Sequence, residues 1–277
     1  MVAEPSAPET TGAGTYDPAY FARLFAIEDR HFWFCARNRV IGTLVEQVTA
    51  HLAPGFRVLE VGCGTGTVLR TLERACPQGM VVGMDPFIEG LRFARRRTIG
   101  ELVQGDIHAH PFGVQFEVIG LFDVLEHLTD DAGALRAIHG LLAPDGNLLL
   151  TVPANASLWS YFDYASHHQR RYGRDELEVK LRGAGFRVEY LTYAMATLFP
   201  LVWARRRAAR VLWHTKCGTT ENADELAMRD LRIMPGVNGV LSWVLQQECR
   251  LLARRRRLPF GTSLLAVARR DDSGPAA

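Results

Sequence analysis

Three ionisable residues lie close together in the segment FDVLEHL, directly after a mostly apolar run at residues 116–121. They are Asp123, Glu126 and His127. A carboxylate or an imidazole at the end of a buried strand can cap the next helix, accept a proton or bind a metal ion. Residue type and spacing leave these three roles open, so the choice depends on the elements that position the side chains.

The composition limits the class of protein. The chain has 277 residues, of which 48% are hydrophobic, which is enough for one large core or for a domain with a smaller appendage. Its five cysteines form no CxxC pair, which argues against a disulfide framework or a structural zinc site and favours a reducing cytoplasm. Residues 1–15 lack the basic start and apolar centre of a secretory signal, and their Pro, Gly, Ser and Thr content predicts a disordered leader.

Strand-like and helix-like segments alternate from Phe56 onward, which predicts an α/β fold with a parallel sheet covered by helices on both faces. Before them, residues 18–51 predict two helices. The last two predicted strands, FRVEYLTY and SLLAVARR, are separated by about 68 residues, too many for a hairpin connection. We therefore predict a leader at 1–15, an amino-terminal helical lid at 16–52, a cofactor-binding core at 53–194, a helical insertion at 195–262, and a last strand and tail at 263–277.

A glycine-rich turn, VLEVGCGTG, connects the first predicted strand to the next helix. Gly62, Gly64 and Gly66 allow the backbone to turn tightly and approach a ligand. Asp85 ends the next predicted strand, where a carboxylate in a doubly wound sheet accepts hydrogen bonds from ribose hydroxyls. The spacing departs from the GxGxxG of nicotinamide-dependent enzymes, because Thr67 occupies the position of the final glycine.

Five motifs in order resemble those of class I S-adenosylmethionine-dependent methyltransferases. Glu60-x-Gly62-x-Gly64-x-Gly66 resembles the first motif, and Asp85 matches the ribose-binding acid. The segments QGDI, FDVLEHL and LLAPDGNLLLTVP resemble the adenine-binding segment and the fourth- and fifth-strand motifs. The resemblance implies a Rossmann-like, doubly wound sheet of seven strands with an antiparallel last hairpin, and S-adenosyl-L-methionine as the cofactor.

The resemblance also implies a set of cofactor-binding residues. Arg37 lies four residues before Ile41 and resembles the arginine by which related quinone-precursor O-methyltransferases hold the methionine carboxylate. An arginine that only solvates a helix face is the alternative. The residues that the resemblance assigns to the cofactor are Arg37, Glu60, Gly62, Gly64, Gly66, Asp85, Asp106, Ile107 and Phe122.

Methyl transfer from a sulfonium is an in-line displacement, so the protein chiefly aligns the acceptor and excludes water. A hydroxyl acceptor must also lose a proton, which favours a histidine near the sulfonium. The candidate general bases are His127, His168 and His167, although a loop histidine bonded to nearby backbone is the alternative for His168. Substrate contacts are predicted for Arg171, Tyr172 and Trp33.

A metal site is the less favoured interpretation of the acidic cluster. Asp123-x-x-Glu126-His127 resembles the Glu-x-x-Glu-His of some metal-assisted O-methyltransferases, in which a downstream histidine completes the site. This chain has Asp at the first position, and carboxylates near a helix start more often cap it. We therefore predict no metal; if one binds, the candidate ligands are Asp123, Glu126, His127 and His168.

The carboxyl-terminal part of the chain is basic. Residues 195–277 contain 14 basic and 7 acidic residues, a net charge of +7, so the preceding residues carry −5. Apolar stretches at helical spacing alternate with arginine runs, which predicts a helical cap over the substrate. Peripheral attachment to an anionic membrane surface is the alternative. Nucleic-acid binding is not predicted, because no recognition motif accompanies the arginines.

Together these features predict an enzyme that methylates a lipophilic small molecule, most simply on oxygen, in natural product biosynthesis or lipid modification. Carbon methylation of a similar substrate is the alternative within the same class. A nicotinamide-dependent oxidoreductase and a non-catalytic cofactor-binding protein are the alternatives from other classes. We expect a cytoplasmic protein, and the sequence leaves its oligomeric state open.

Overall fold

A seven-stranded sheet lies at the centre of the computed structural model, which describes residues 18–215 and 220–273. The strand order is β3-β2-β1-β4-β5-β7-β6. Only β7 runs antiparallel to its neighbours, β5 and β6, which confirms the predicted fold class. The strands are β1 (Arg57–Val61), β2 (Met80–Asp85), β3 (Glu101–Gln104), β4 (Phe116–Phe122), β5 (Leu142–Pro153), β6 (Phe186–Ala194) and β7 (Ser263–Arg270).

Helices cover both faces of the sheet. They are α1 (Pro18–Ile27), α2 (Phe32–Thr49), α3 (Thr67–Ala75), α4 (Ile88–Ala94), α5 (Asp131–Leu141), α6 (Tyr161–Ala165), α7 (Arg174–Gly183), α8 (Phe199–Thr215), α9 (Thr220–Asp230) and α10 (Pro235–Ala253). Helices α5 and α7 pack on one face, and α2, α3 and α10 pack on the other. Alternate residues of β1, such as Val58 and Leu59, enter the two cores, as the two-residue period of a strand requires.

The segment predicted as an amino-terminal lid forms helices α1 and α2 over the part that is described. A buried ion pair connects the end of α1 to the glycine-rich turn. Arg97 Nη1 lies 2.6 Å from Glu28 Oε2, and the Arg97 side chain is only 3% exposed. The same guanidinium donates to the Thr65 hydroxyl at 2.7 Å and to the Phe25 carbonyl at 2.8 Å. This contact therefore fixes α1 against the loop that carries Gly64 and Gly66.

The predicted insertion contains α8, α9 and α10. Helix α10 packs on α2 through buried Leu245, Cys249 and Leu252, and Glu248 accepts hydrogen bonds from the amides of residues 196 and 197. Helix α9 packs on α6 through a small apolar cluster. Among the described residues, none of the helices combines the length and the apolar content needed to cross a bilayer.

Helix α4 ends at Ala94, where the chain turns and directs Arg97 to the glycine loop. Strand β5 begins at Leu142, and an irregularity around Asp145, which has a φ of 60°, separates its two paired segments. The predicted disordered leader lies outside the described residues. The proposed domain boundaries remain predictions.

Candidate active site

The glycine-rich turn has the backbone that its sequence predicts. Gly62, Gly64 and Gly66 have φ values of 73°, 49° and 77°, a region that other residues rarely adopt. A Cβ atom at Gly66 would lie 2.9 Å from the Cα of Ala94, and one at Gly62 would collide with Val124. The turn therefore needs glycine both for its conformation and for close packing against α4 and the segment after β4.

Asp85 lies at the end of β2 beside this turn. Its carboxylate accepts hydrogen bonds from the amides of Gly64, at 2.8 Å, and Phe87, at 2.9 Å. Burial raises the pKa of Asp85 to about 6, while the two amides favour the charged form. Each carboxylate oxygen has two acceptor sites, so both oxygens keep capacity for a ribose hydroxyl.

The other residues that the resemblance assigned to the cofactor lie on neighbouring strand ends. Glu60, on β1, is 2% exposed, and burial raises its pKa well above the ordinary value. Asp106 accepts from the His108 amide at 2.8 Å, while Ile107 and Phe122 are buried. The carboxyl ends of β1, β2 and β4 lie side by side, since these strands pair in parallel.

Arg37, on α2, does not point into solvent. Its Nη1 atom lies 2.5 Å from Asp123 Oδ2, and its guanidinium lies 5.0 Å from the centre of the Trp33 ring. The predicted alternative, an arginine that solvates a helix face, is therefore wrong. Asp123 has a φ of 56°, a left-handed conformation that directs the chain away from β4.

Two of the three candidate histidines come together with Glu126. One ligand-type atom each from Glu126, His127 and His168 lies within 4.8 Å of the others, and the two imidazole rings are 4.9 Å apart. Burial, with His168 nearby, lowers the pKa of His127 to about 3, which makes His127 a poor proton acceptor at neutral pH. His167 has an exposed side chain on the adjacent turn.

Glu126 does not cap the following helix. The first turn of α5 is capped by Asp130, which accepts from the Gly133 amide at 2.8 Å. Glu126 is 1% exposed, and its Oε2 atom has no hydrogen-bond partner among the described residues. Burial, together with the charge of Asp123, raises the pKa of Glu126 well above its ordinary value. The capping role that the sequence favoured for Glu126 is therefore wrong.

The prediction that Arg171 and Tyr172 contact the substrate is also wrong. The Arg171 side chain is 3% exposed; it donates to Asp163 Oδ1 at 2.7 Å and to the Ala154 carbonyl at 2.9 Å. Tyr172 is fully buried, and its hydroxyl donates to Asp131 at 2.9 Å. Burial, with Asp131 adjacent, raises the pKa of Tyr172. Both side chains hold the loop after β5 in place.

Asp163 was not among the predicted residues, although it touches one of them. Its Oδ1 atom lies 2.9 Å from His168 Nδ1. Burial opposes ionisation, but the hydrogen bond from His168 and the charges of Arg171 and Arg206 lower the pKa of Asp163. Ser160 and Asp163 form a capping box at the start of α6, and a helix start was the only signal available in the sequence.

A narrow, mainly apolar cavity of about 20 Å³, room for about one water molecule, lies between α2 and α10. Its apolar lining includes Trp33, Ile41, Leu245 and Leu252. The ion pair of Arg37, from α2, and Asp123, after β4, also lines it. Thr151, on β5, also lines it, and the Thr151 hydroxyl has no hydrogen-bond partner among the described residues. The lining therefore combines apolar walls with one buried hydroxyl.

The glycine turn and the strand-end acid lie within a matched family domain. The family model described as a methyltransferase domain matches residues 31–191, more than half of the chain. The chain belongs to the class I S-adenosylmethionine-dependent methyltransferases. The assignment replaces the alternatives of an oxidoreductase and a non-catalytic protein.

Curated relatives of this methyltransferase include a ubiquinone biosynthesis O-methyltransferase from Xanthomonas axonopodis pv. citri. It is 30% identical over 167 residues, which are 52% of this chain and 69% of that protein. A 37.1 kDa protein in transposon TN4556 of Streptomyces fradiae is 39% identical over 106 residues, 36% of this chain. The chain spans only 31% of that second protein.

Solved structures show the same fold at low sequence identity. The plantazolicin methyltransferase BpumL, in complex with SAH, has a TM-score of 0.55 and 14% identity, covering 92% of this chain and 91% of its own. The cyclase SpnF has a TM-score of 0.51 and 20% identity, covering 83% and 81%. A protein named as a cyclase shares the fold, so these likenesses carry no information about the acceptor.

The cofactor of this methyltransferase is S-adenosylmethionine. It supplies an activated methyl group on a sulfonium, and the residues present fit it. Gly64 leaves open space beside Asp85, and Glu60 Oε2 is a buried acceptor with no partner among the described residues. The roles of individual residues toward the cofactor remain predictions.

Cofactor binding is expected to weaken about tenfold between about pH 7.5 and about pH 5, because Asp85 has a pKa raised to about 6 and only its ionised form accepts from both ribose hydroxyls. Calorimetric titration with S-adenosylhomocysteine measures the change. In an Asp85→Asn variant, affinity is expected to be low and insensitive to pH over this range. An equally steep pH dependence in that variant would assign the effect to another group, such as Glu60.

Proposed function

We propose that this methyltransferase transfers a methyl group to an oxygen atom of a lipophilic small molecule, with His168 as the general base. The observation that carries the proposal is the position of His168, whose Nδ1 atom is bound to Asp163 while its Nε2 atom faces Glu126 Oε1 at 3.9 Å. At that distance Nε2 makes no hydrogen bond to Glu126 and is available to accept a proton. The ubiquinone biosynthesis O-methyltransferase among the relatives supports an oxygen acceptor.

The apolar cavity supports a lipophilic acceptor. Its walls come from α2, α10 and the strand ends, and Asp123 joins it to the segment that carries Glu126 and His127. The present space holds about one water molecule, so a ring or chain would enter only as α10 moves away from α2, and its apolar part would then lie against Ile41 and Leu245. In this arrangement α10 is the substrate cap that the sequence predicted.

The identity of the acceptor atom is tested by incubating the enzyme with S-adenosylmethionine labelled with carbon-13 in its methyl group and a metabolite extract. The chemical shift of the transferred carbon distinguishes an oxygen-bound from a carbon-bound methyl group. A carbon-bound methyl group would contradict O-methylation and support the alternative. We propose a role in natural product biosynthesis or lipid modification. The chemical identity of the labelled product would distinguish these two roles.

Replacement of Thr151 by valine tests the cavity as the acceptor site. The variant removes a buried hydroxyl that has no partner among the described residues and keeps the side-chain shape. We expect the free energy of unfolding to stay unchanged or to rise by about 1 kcal/mol, while KM for the acceptor rises by roughly twofold to tenfold. Denaturant unfolding and steady-state kinetics measure both quantities. An unchanged KM would remove Thr151 from the acceptor site.

We propose that the reaction proceeds without a metal ion. Asp123, the first acid of the metal-site pattern, pairs with Arg37 at 2.5 Å and is not part of the cluster of Glu126, His127 and His168. Activity is therefore expected to be unchanged after exhaustive dialysis against a chelator and to gain nothing from added divalent ions. Loss of activity on chelation, restored by a divalent ion, would instead support Glu126, His127 and His168 as ligands.

Contact with a membrane is the second proposal for the insertion, within an otherwise cytoplasmic protein. The outer face of α10 exposes Val240 and Trp243 by 62% and 64%, and four arginines follow the helix at residues 254–257. An apolar face next to cations suits an anionic lipid surface. Sedimentation with anionic and neutral vesicles tests this proposal. Binding to anionic vesicles alone would support membrane contact. No binding to either would contradict it and favour the substrate cap as the role of the insertion.

A further inference from the structure

Asp163 is a buried carboxylate at the centre of several donors. It is 0% exposed. Its Oδ2 atom accepts from the Ser160 amide at 2.9 Å, and its Oδ1 atom accepts from Arg171 Nε at 2.7 Å and contacts His168 Nδ1 at 2.9 Å. The capping box requires only the bond to Ser160. The contacts of Oδ1 with Arg171 and His168 are therefore not needed for the helix cap.

These contacts determine which nitrogen of His168 carries its proton. An ionised carboxylate only accepts hydrogen bonds, so His168 Nδ1 must be the donor to Asp163. In the neutral imidazole the other nitrogen, Nε2, then has a free lone pair. The backbone holds the same geometry, because the His168 amide donates to the Asp163 carbonyl at 2.9 Å.

The helical insertion reaches the same carboxylate. Arg206, on α8, donates from Nη1 to the Leu158 carbonyl at 2.6 Å, and this nitrogen lies 3.7 Å from Asp163 Oδ2. Its side chain is 16% exposed. Helix α9 holds α6 from another side, where the Tyr161 hydroxyl donates to Asp230 at 2.6 Å. Residues far along the chain thus surround the short helix that carries Asp163.

We propose that Asp163 is a positioning residue that holds His168 with its proton on Nδ1, so that Nε2 keeps the lone pair that accepts the substrate proton, and that Arg206 of the insertion keeps Asp163 in place. The inference rests on the proposed role of His168 as general base. It gives the insertion a function in catalysis besides covering the substrate. A carboxylate that orients a histidine is effective because the wrong tautomer cannot accept the substrate proton.

The tautomer can be measured without knowing the substrate. The protein is labelled with nitrogen-15 at its nine histidines, saturated with S-adenosylhomocysteine, and studied by long-range nitrogen–proton correlation NMR, with a His168→Gln variant to assign the signals. We expect His168 in the Nδ1-protonated form. Asp163→Asn is expected to populate the Nε2-protonated form and to lower kcat for methyl transfer by about tenfold or more, with KM for S-adenosylmethionine unchanged within about twofold.

A second variant, Arg206→Met, is used in case Asp163→Asn fails to fold. Arg206→Met keeps Asp163, and Arg171 still neutralises that carboxylate, so we expect the variant to fold. We expect it to increase the Nε2-protonated population of His168. The matched control is Arg207→Met, which removes a neighbouring, exposed arginine that stacks on Trp203 and is expected to change neither tautomer nor kcat. An Nε2-protonated His168 in the unmodified enzyme, or a tautomer unaffected by Arg206→Met and by a folded Asp163→Asn, would overturn the proposal.

Failure of the proposed function gives a different result. If His168→Gln leaves methyl transfer unchanged while Asp163→Asn shifts the tautomer, the general-base role is overturned and the structural coupling of Asp163 to His168 stands. If His168→Gln abolishes transfer but the tautomer does not depend on Asp163 or Arg206, the general-base role stands and the positioning role is overturned.

Discussion

Replacement of His168 by glutamine is expected to lower kcat for methyl transfer by about 10²- to 10⁴-fold, the range that a positioned general base contributes. Glutamine retains a polar side chain but accepts no proton at neutral pH. The affinity for S-adenosylhomocysteine is expected to stay within about twofold, because His168 lies on the loop after β5 and contacts Asp163 and Glu126, which are not predicted to bind the cofactor. Steady-state kinetics with the acceptor identified from its labelled product measure kcat. Calorimetry measures the affinity for S-adenosylhomocysteine.

His167→Gln is the matched control, since His167 precedes His168 on the same turn but has an exposed side chain. We expect its kcat to change by less than about threefold, as for most surface substitutions. A large loss of activity in the His167 variant, combined with an active His168→Gln enzyme, would transfer the role of base to His167. Equal and small effects in both variants would indicate transfer by positioning alone, for which an already ionised acceptor suffices.

The parts of the site that the sequence predicted well are those encoded within a short stretch of chain. Gly62, Gly64 and Gly66 adopt positive φ values that few other residues tolerate, so their spacing specifies the turn directly. Asp85 is likewise predictable, because the end of β2 must lie next to the end of β1 in a parallel sheet. Local pattern and sheet topology together are enough for the cofactor half of the site.

The acceptor half could not be predicted in the same way because its contacts join distant segments. Arg171 looked available in a polar loop, yet Asp163 and the Ala154 carbonyl bind its guanidinium in the interior. Arg206 belongs to an arginine run that reads as a solvated helix face, although one member of the run reaches Asp163. Sequence spacing predicts the periodicity of a helix, but it does not predict which arginine of a run contacts a buried carboxylate.

Replacement of Arg97 by methionine is expected to destabilise the fold by about 3 to 5 kcal/mol, because it leaves the buried Glu28 carboxylate without its cation. Methionine retains an apolar stem against Phe25, whose ring centre lies 4.0 Å from the guanidinium. Asp29, the other partner of Arg97, is 41% exposed and stays solvated. Urea unfolding measures the loss, and calorimetry is expected to show weaker S-adenosylhomocysteine binding, since Thr65 of the glycine turn also loses a donor.

Two further variants separate the lost charge pair from lost packing. Arg96→Met removes an adjacent, exposed arginine that stacks on the same Phe25 ring at 4.7 Å, and it is expected to cost less than about 1 kcal/mol. Adding Glu28→Gln to Arg97→Met removes the uncompensated charge and is expected to recover most of the stability. Cofactor affinity should stay low in this double variant, because neither change restores the cation beside Thr65. A single variant that unfolds at the same urea concentration as the unmodified enzyme would show that the ion pair contributes nothing to holding α1 on the glycine turn.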